Sequence, residues 1–90
     1  MVTAVRVKVL GLVHGVSFRA SMAGVATELG VKGWVRNLPD GSVEAHLEGD
    51  DMKVMKVLEW ARKGPPKARV EKAVVFEERP RNYRDFRVRG

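Results

Sequence analysis

Residues 11–19, Gly-Leu-Val-His-Gly-Val-Ser-Phe-Arg, join an alternating apolar run to a helical one and put an arginine at the helix start. A helix N-terminus leaves backbone N–H groups without internal partners, and these carry partial positive charge. A loop whose amides converge there forms a cradle for an anion. Arg19 adds a planar, permanently charged fork suited to two phosphate oxygens at once. The same glycines equally suit a tight turn that binds nothing. Gly11 and Gly15 match neither the dinucleotide fingerprint nor the P-loop, which ends in Gly-Lys-Ser/Thr. The loop by itself leaves both readings open, and no cofactor is expected.

The surrounding elements decide what this loop can meet. Val5, Val7 and Val9 alternate with Arg6 and Lys8, the period of a strand with one buried face, and Gly11 marks its expected end. Phe18, Met22, Val25 and Leu29 recur at helical spacing, with Ser17 placed to cap the helix and Gly30 to stop it. Val31, Gly33 and Val35 oppose Lys32, Trp34 and Arg36 in a second strand. Val43, Ala45 and Leu47 oppose Glu44, His46 and Glu48 in a third, with Leu38-Pro39-Asp40-Gly41 turning between them. Asp50 or Asp51 caps a second helix through Val54, Val57, Leu58 and Ala61, which Gly64-Pro65-Pro66 terminates. Residues 70–76 read as a fourth strand, and Phe86 with Val88 as a short fifth.

This order predicts an α+β, ferredoxin-like βαββαβ sandwich: an antiparallel sheet of four strands plus a short extra strand, with two helices on one face. In that topology the first and second strands run in the same direction with the third between them, so both finish at one end of the sheet. Asn37 is thereby expected beside the 15–19 loop, although far from it in sequence.

Composition narrows the class. With 90 residues and 44% hydrophobic content there is material for one core, and residues 1–90 read as a single domain. No stretch approaches the roughly 20 apolar residues of a membrane span, and residues 2–10 alternate rather than form a signal-peptide core; a cytoplasmic protein away from membranes is expected. The lack of cysteine excludes disulfides, thiolate nucleophiles and cysteine metal sites. His14 and His46 lie far apart without clustered carboxylates, so no metal is expected. The net charge of +6 and pI of about 10.2 raise nucleic acid as a partner. Against it, the third strand has no aromatic side chain for base stacking, and Arg79, Arg81, Arg84, Arg87 and Arg89 read as solvated strand faces. Trp34 is either a stacking platform or is partly covered by a neighbouring strand. The 31% charged fraction, absence of glutamine and two asparagines fit a heat-adapted source.

Residues 11–19 also resemble the acylphosphatase signature Gly-x-Val-Gln-Gly-Val-x-Phe/Tyr-Arg, met at Gly11, Val13, Gly15, Val16, Phe18 and Arg19. The family's second segment, an aromatic-bearing Gly-x-Val-x-Asn run with Gly-x-Val and a later glycine, is met at Gly33, Trp34, Val35, Asn37, Gly41, Val43 and Gly49. Gly64-Pro65-Pro66 with Ala68 and Val70 is a third similarity. The resemblance implies metal-independent hydrolysis of acyl phosphates. It implies that Gly15, Val16, Ser17, Phe18 and Arg19 bind the phosphoryl group, and that Arg19 and Asn37 are catalytic, with Asn37 positioning water. Inorganic phosphate or another anion would also occupy the loop, and a monomer is expected. His14 stands where the family usually has glutamine. Beside a phosphate its imidazole would gain positive charge below neutrality; alternatively it makes a structural hydrogen bond. A non-catalytic anion-binding module on the same scaffold would have no need of Asn37.

Overall fold

Strand β1 runs from Val2 to Leu12 in the computed structural model, which describes residues 2–90. Gly11 therefore lies inside the strand instead of ending it. Pairing with β4 (Arg69–Glu77) shifts between Leu10 and Gly11, and at φ 129° a Cβ on Gly11 would run into the Arg69 carbonyl. The glycine admits a bulge, and the strand continues past it.

Helix α1 (Phe18–Leu29) buries Phe18, Met22 and Ala26, with Val25 and Leu29 packed at the margin of the core. Ser17 holds the N-cap position, but its side chain makes no capping bond. It adopts the left-handed conformation, φ 63° and ψ 27°, and its carbonyl accepts from Ser21 N–H at 3.0 Å. A backbone turn replaces the expected side-chain cap. At the other end Gly30, φ 73°, turns its N–H back to Ala26 and Thr27, as a left-handed C-cap should.

Strands β2 (Lys32–Asn37) and β3 (Val43–Asp50) form the expected antiparallel hairpin. Leu38 N–H donates to Ser42 O at 2.8 Å, and Ser42 N–H donates to the Asp40 carboxylate at 3.0 Å. The Ser42 hydroxyl, the Ser42 amide and Lys8 together hold the Asp40 carboxyl well below the usual carboxylate range. In α2 (Asp51–Lys63) the cap is Asp50, which accepts from Met52 N–H and Lys53 N–H, while Asp51 accepts from the Thr3 hydroxyl at 2.9 Å. The two aspartates are thus structural.

The sheet order is β4-β1-β3-β2-β5, where β5 is Phe86–Arg89. The four long strands pair antiparallel and β5 joins parallel to β2, with Gly33 opposite Phe86, so the sheet is mixed. The helices cover one face, where Val7, Val9, Val35, Ala45 and Leu47 meet Met22 and Val57 in the core. This is the βαββαβ sandwich that the element order implies.

The opposite face departs from expectation. Glu44, His46 and Glu48 are buried at 6%, 1% and 5% exposure rather than solvated. A row of cross-strand neighbours, Phe76, Arg6, His46, Trp34 and Arg87, runs across all five strands. Glu44 accepts from Arg6 at 3.0 Å and from Arg36 at 2.6 Å. His46 Nε2 donates to Glu48 at 2.7 Å, and its ring stacks on Trp34. Residues 78–85 fold over this row, where Glu48 accepts from Arg81 N–H at 2.7 Å and Tyr83 N–H at 3.1 Å. Trp34 donates to the Tyr83 hydroxyl at 3.2 Å, so it is covered and not a free stacking platform. Arg79, Arg81 and Arg84 belong to this irregular segment; of the five terminal arginines only Arg87 and Arg89 lie on a strand.

Burial pushes the Glu44 and Glu48 carboxyls up, but their hydrogen bonds outweigh it. Arg36 and Arg6 on Glu44, and Arg81 N–H, His46 and Tyr83 N–H on Glu48, hold both below their ordinary value of 4.5. A carboxyl depressed in the folded state contributes stability above its unfolded pKa and loses it as pH falls through the folded one. The melting temperature should therefore hold from about pH 7 to about pH 5 and fall at lower pH. Glu44→Gln and Glu48→Gln should each cost about 1–3 kcal/mol at neutral pH and make the acid limb shallower, as read by thermal melts across pH.

Candidate active site

A pocket of about 180 Å³ opens at the end of the sheet where β1 and β2 finish. Gly15, Ser17, Phe18 and Arg19 wall one side and Asn37, the last residue of β2, the other; Val13 and Val88 close the margins. The topology thus brings Asn37 to the loop. Both strands pair with β3 and run alike, which leaves their C-terminal ends at one end of the sheet, on either side of β3.

The loop backbone alternates in hand. Gly15 and Ser17 have φ of 70° and 63°, with Val16 of ordinary hand between them. Alternation of hand of this kind is the backbone pattern by which successive N–H groups can be turned toward one point. A Cβ at Gly15 would meet nothing within 4 Å, so the backbone hand, not space, calls for glycine there. Among the described residues, none of the N–H groups of residues 15–18 donates to a backbone carbonyl outside a helix or strand. Those donors are available to a ligand.

The side chains fix this loop from both sides. Phe18 is buried against Trp60, ring centroids 5.2 Å apart, which ties the first turn of α1 to α2. Val16 is half-buried against the core and is not a wall of this pocket. His14 Nε2 lies 2.8 Å from the Ser42 carbonyl. A carbonyl only accepts, so Nε2 carries the proton and ties the loop to the start of β3. His14 does not line the pocket. Arg19 Nη1 donates to the Arg89 carbonyl at 3.1 Å, so β5 orients the guanidinium and leaves its remaining donors for other partners. The Arg89 side chain in turn lies over Trp34, 4.9 Å from the ring centre.

Sequence reasoning missed Val88 and the Arg89 carbonyl. The Phe86/Val88 alternation flags a strand, but a main-chain acceptor has no residue signature. Among the described residues, no group of three or more His, Cys, Asp or Glu side chains gathers as a metal site, and no helix is long and apolar enough to cross a membrane.

A five-stranded ferredoxin-like sandwich with an alternating-hand loop, an arginine and an asparagine around one pocket at the end of its sheet is the class of protein described. A family model described as acylphosphatase matches residues 5–88. The chain is 51% identical to the acylphosphatase of Thermococcus kodakarensis over 83 residues, covering 92% of this chain and 91% of that one. It is 59% identical to that of Pyrobaculum aerophilum over 80 residues, covering 87% and 84%. It superposes on the acylphosphatase structure from Coxiella burnetii with a TM-score of 0.94 at 42% identity, covering 98% and 93%. The chain belongs to the acylphosphatase family of hydrolases.

A glutamine at position 14 would keep a donor for the Ser42 carbonyl without a titratable ring. The affinity of His14→Gln for inorganic phosphate should follow the parent within about twofold by isothermal calorimetry at neutral pH. A larger loss would instead place the imidazole at the anion.

Proposed function

We propose that the chain hydrolyses the carboxyl–phosphate bond of acyl phosphates without a metal, and that Arg19 and Asn37 carry the reaction. The meeting of Arg19, Asn37 and the 15–19 loop on one pocket is the observation that supports this reading. Amides of Gly15, Val16, Ser17, Phe18 and Arg19, with the Arg19 fork, hold the phosphoryl group. Asn37 orients a water in line with the bond to be broken. Neither side chain removes a proton at neutral pH, since arginine stays charged and asparagine does not titrate. Their contribution is placement and charge stabilisation.

The substrate suits such a site. Water oxygen bonds to phosphorus, the bond from phosphorus to the acyl oxygen breaks, and its electron pair leaves on the carboxylate. A phosphoryl oxygen accepts the water proton, which gives dihydrogen phosphate and no covalent enzyme intermediate. The leaving carboxylate has a conjugate-acid pKa of roughly 4, so it departs without an enzymic acid. Charge on the equatorial oxygens meets fixed donors that need no reorganisation.

Residues 1–90 act, in this reading, as one monomeric domain in the cytoplasm. The high charged fraction and the relatives in thermophiles support heat adaptation.

Benzoyl phosphate hydrolysis in excess chelator tests the assignment, with folding of each variant verified by circular dichroism. Arg19→Ala should lower kcat/KM by about a thousandfold or more. Asn37→Ala should lower kcat by about a hundredfold and leave KM within about threefold. Unchanged turnover in Asn37→Ala removes it from water positioning, and loss of parent activity in chelator removes the metal-independent route.

A further inference from the structure

We propose that the groove beside the cradle, walled by Val16, Ser21, Pro65, Pro66 and Lys67, is the acyl subsite, and that it favours acyl phosphates whose apolar chain ends in a second anionic group. This rests on the function proposed above and names the part of the substrate that the cradle does not touch.

The groove holds about 330 Å³. It shares two walls with the cradle, Gly15 and Ser17, and includes neither Arg19 nor Asn37. In-line displacement sets water and leaving group on opposite sides of phosphorus. With water on Asn37, the acyl group leaves on the side away from it, across Gly15 and Ser17. The groove begins there. A second cavity, beside Asp40, Gly41, Ser42 and Glu71, shares no wall with the cradle and carries negative charge unsuited to an anionic substrate.

The lining specifies the chemistry of the occupant. Val16 and the two prolines are its apolar walls, and the exposed Lys67 is the one charged residue that lines it. Lys67 belongs to none of the ion pairs among the described residues. A short apolar stem ending in a carboxylate or phosphate satisfies both parts at once. A neutral chain satisfies only the first.

The spacing between subsite and cradle is held by packing. Ala68 N–H donates to Pro65 O at 2.9 Å and closes a turn around Pro66 and Lys67, while Gly64 N–H donates to Trp60 O at 2.7 Å. Phe18 packs on Trp60, and a Cβ on Gly64 would sit 2.9 Å from its ring. The turn bearing Lys67 is thereby fastened to the first turn of α1, which bears Arg19. Prolines with φ already set lose little freedom when a ligand arrives.

The test compares two six-carbon substrates that differ only at the far end, adipoyl phosphate with its free carboxylate and hexanoyl phosphate without one. The ratio of their kcat/KM values should fall roughly threefold to fivefold in Lys67→Ala, through KM, and should persist in Lys67→Arg. Lys56→Ala removes the same charge from the exposed face of α2 and should leave the ratio as in the parent. An unmoved ratio in Lys67→Ala, or an equal fall in Lys56→Ala, overturns the subsite while hexanoyl phosphate hydrolysis upholds the activity. A folded parent that hydrolyses neither compound overturns the activity itself, and the subsite with it.

Discussion

The double pairing of β3 is the constraint on which the rest of the molecule depends. It hydrogen-bonds antiparallel to β1 on one side and β2 on the other, which makes those two strands run alike and finish together. Both faces of β3 are buried: Val43, Ala45 and Leu47 against the helices, Glu44 between Arg6 and Arg36, and His46 and Glu48 beneath the C-terminal segment. A one-residue slip would drive carboxylates into the valine core and valines against arginines. Register is therefore specified twice, and the relative positions of the 15–19 loop and Asn37 inherit that specification.

The polar face reaches the pocket by a continuous route. Glu48 holds residues 81 and 83 by their amides, that segment leads into β5, and the Arg89 carbonyl of β5 receives Arg19. Buried ion pairs add little net stability once desolvation is counted, yet removing one partner is costly. Their effect here is to select one placement of the C-terminal segment. The arginine at the pocket is thus oriented partly from the far side of the sheet.

Periodicity made most of this fold legible. Alternation at Val5, Val7 and Val9, helical spacing from Phe18 to Met22, and the Pro-Asp-Gly turn give the element order, and the order gives the approach of Asn37 to the loop. What alternation does not encode is cover. Glu44, His46 and Glu48 read as solvent-facing because polarity, and not burial, is what a residue type reports; Arg6 and Arg36 close over Glu44, and residues 78–85 return over His46 and Glu48. Gly11 looks like a strand end because a bulge and a terminus call for the same residue. Ser17 looks like a side-chain cap because serine favours that position, and its left-handed backbone is not something the residue type reports. The parallel pairing of β5 was hidden for a related reason, since four residues carry too little pattern to declare a direction.

The same sheet leaves two strands with an unpaired side, β4 and β5. Arg69, Glu71, Lys72 and Glu77 punctuate the first, and Arg87 and Arg89 the second. The bulge at Gly11 adds local twist where β1 meets β4. A foreign strand approaching either edge would have to strip water from those charges and follow a twisted ladder. The arginines that close the chain therefore also blunt its tendency to template aggregation, a protection that requires no partner and no ligand.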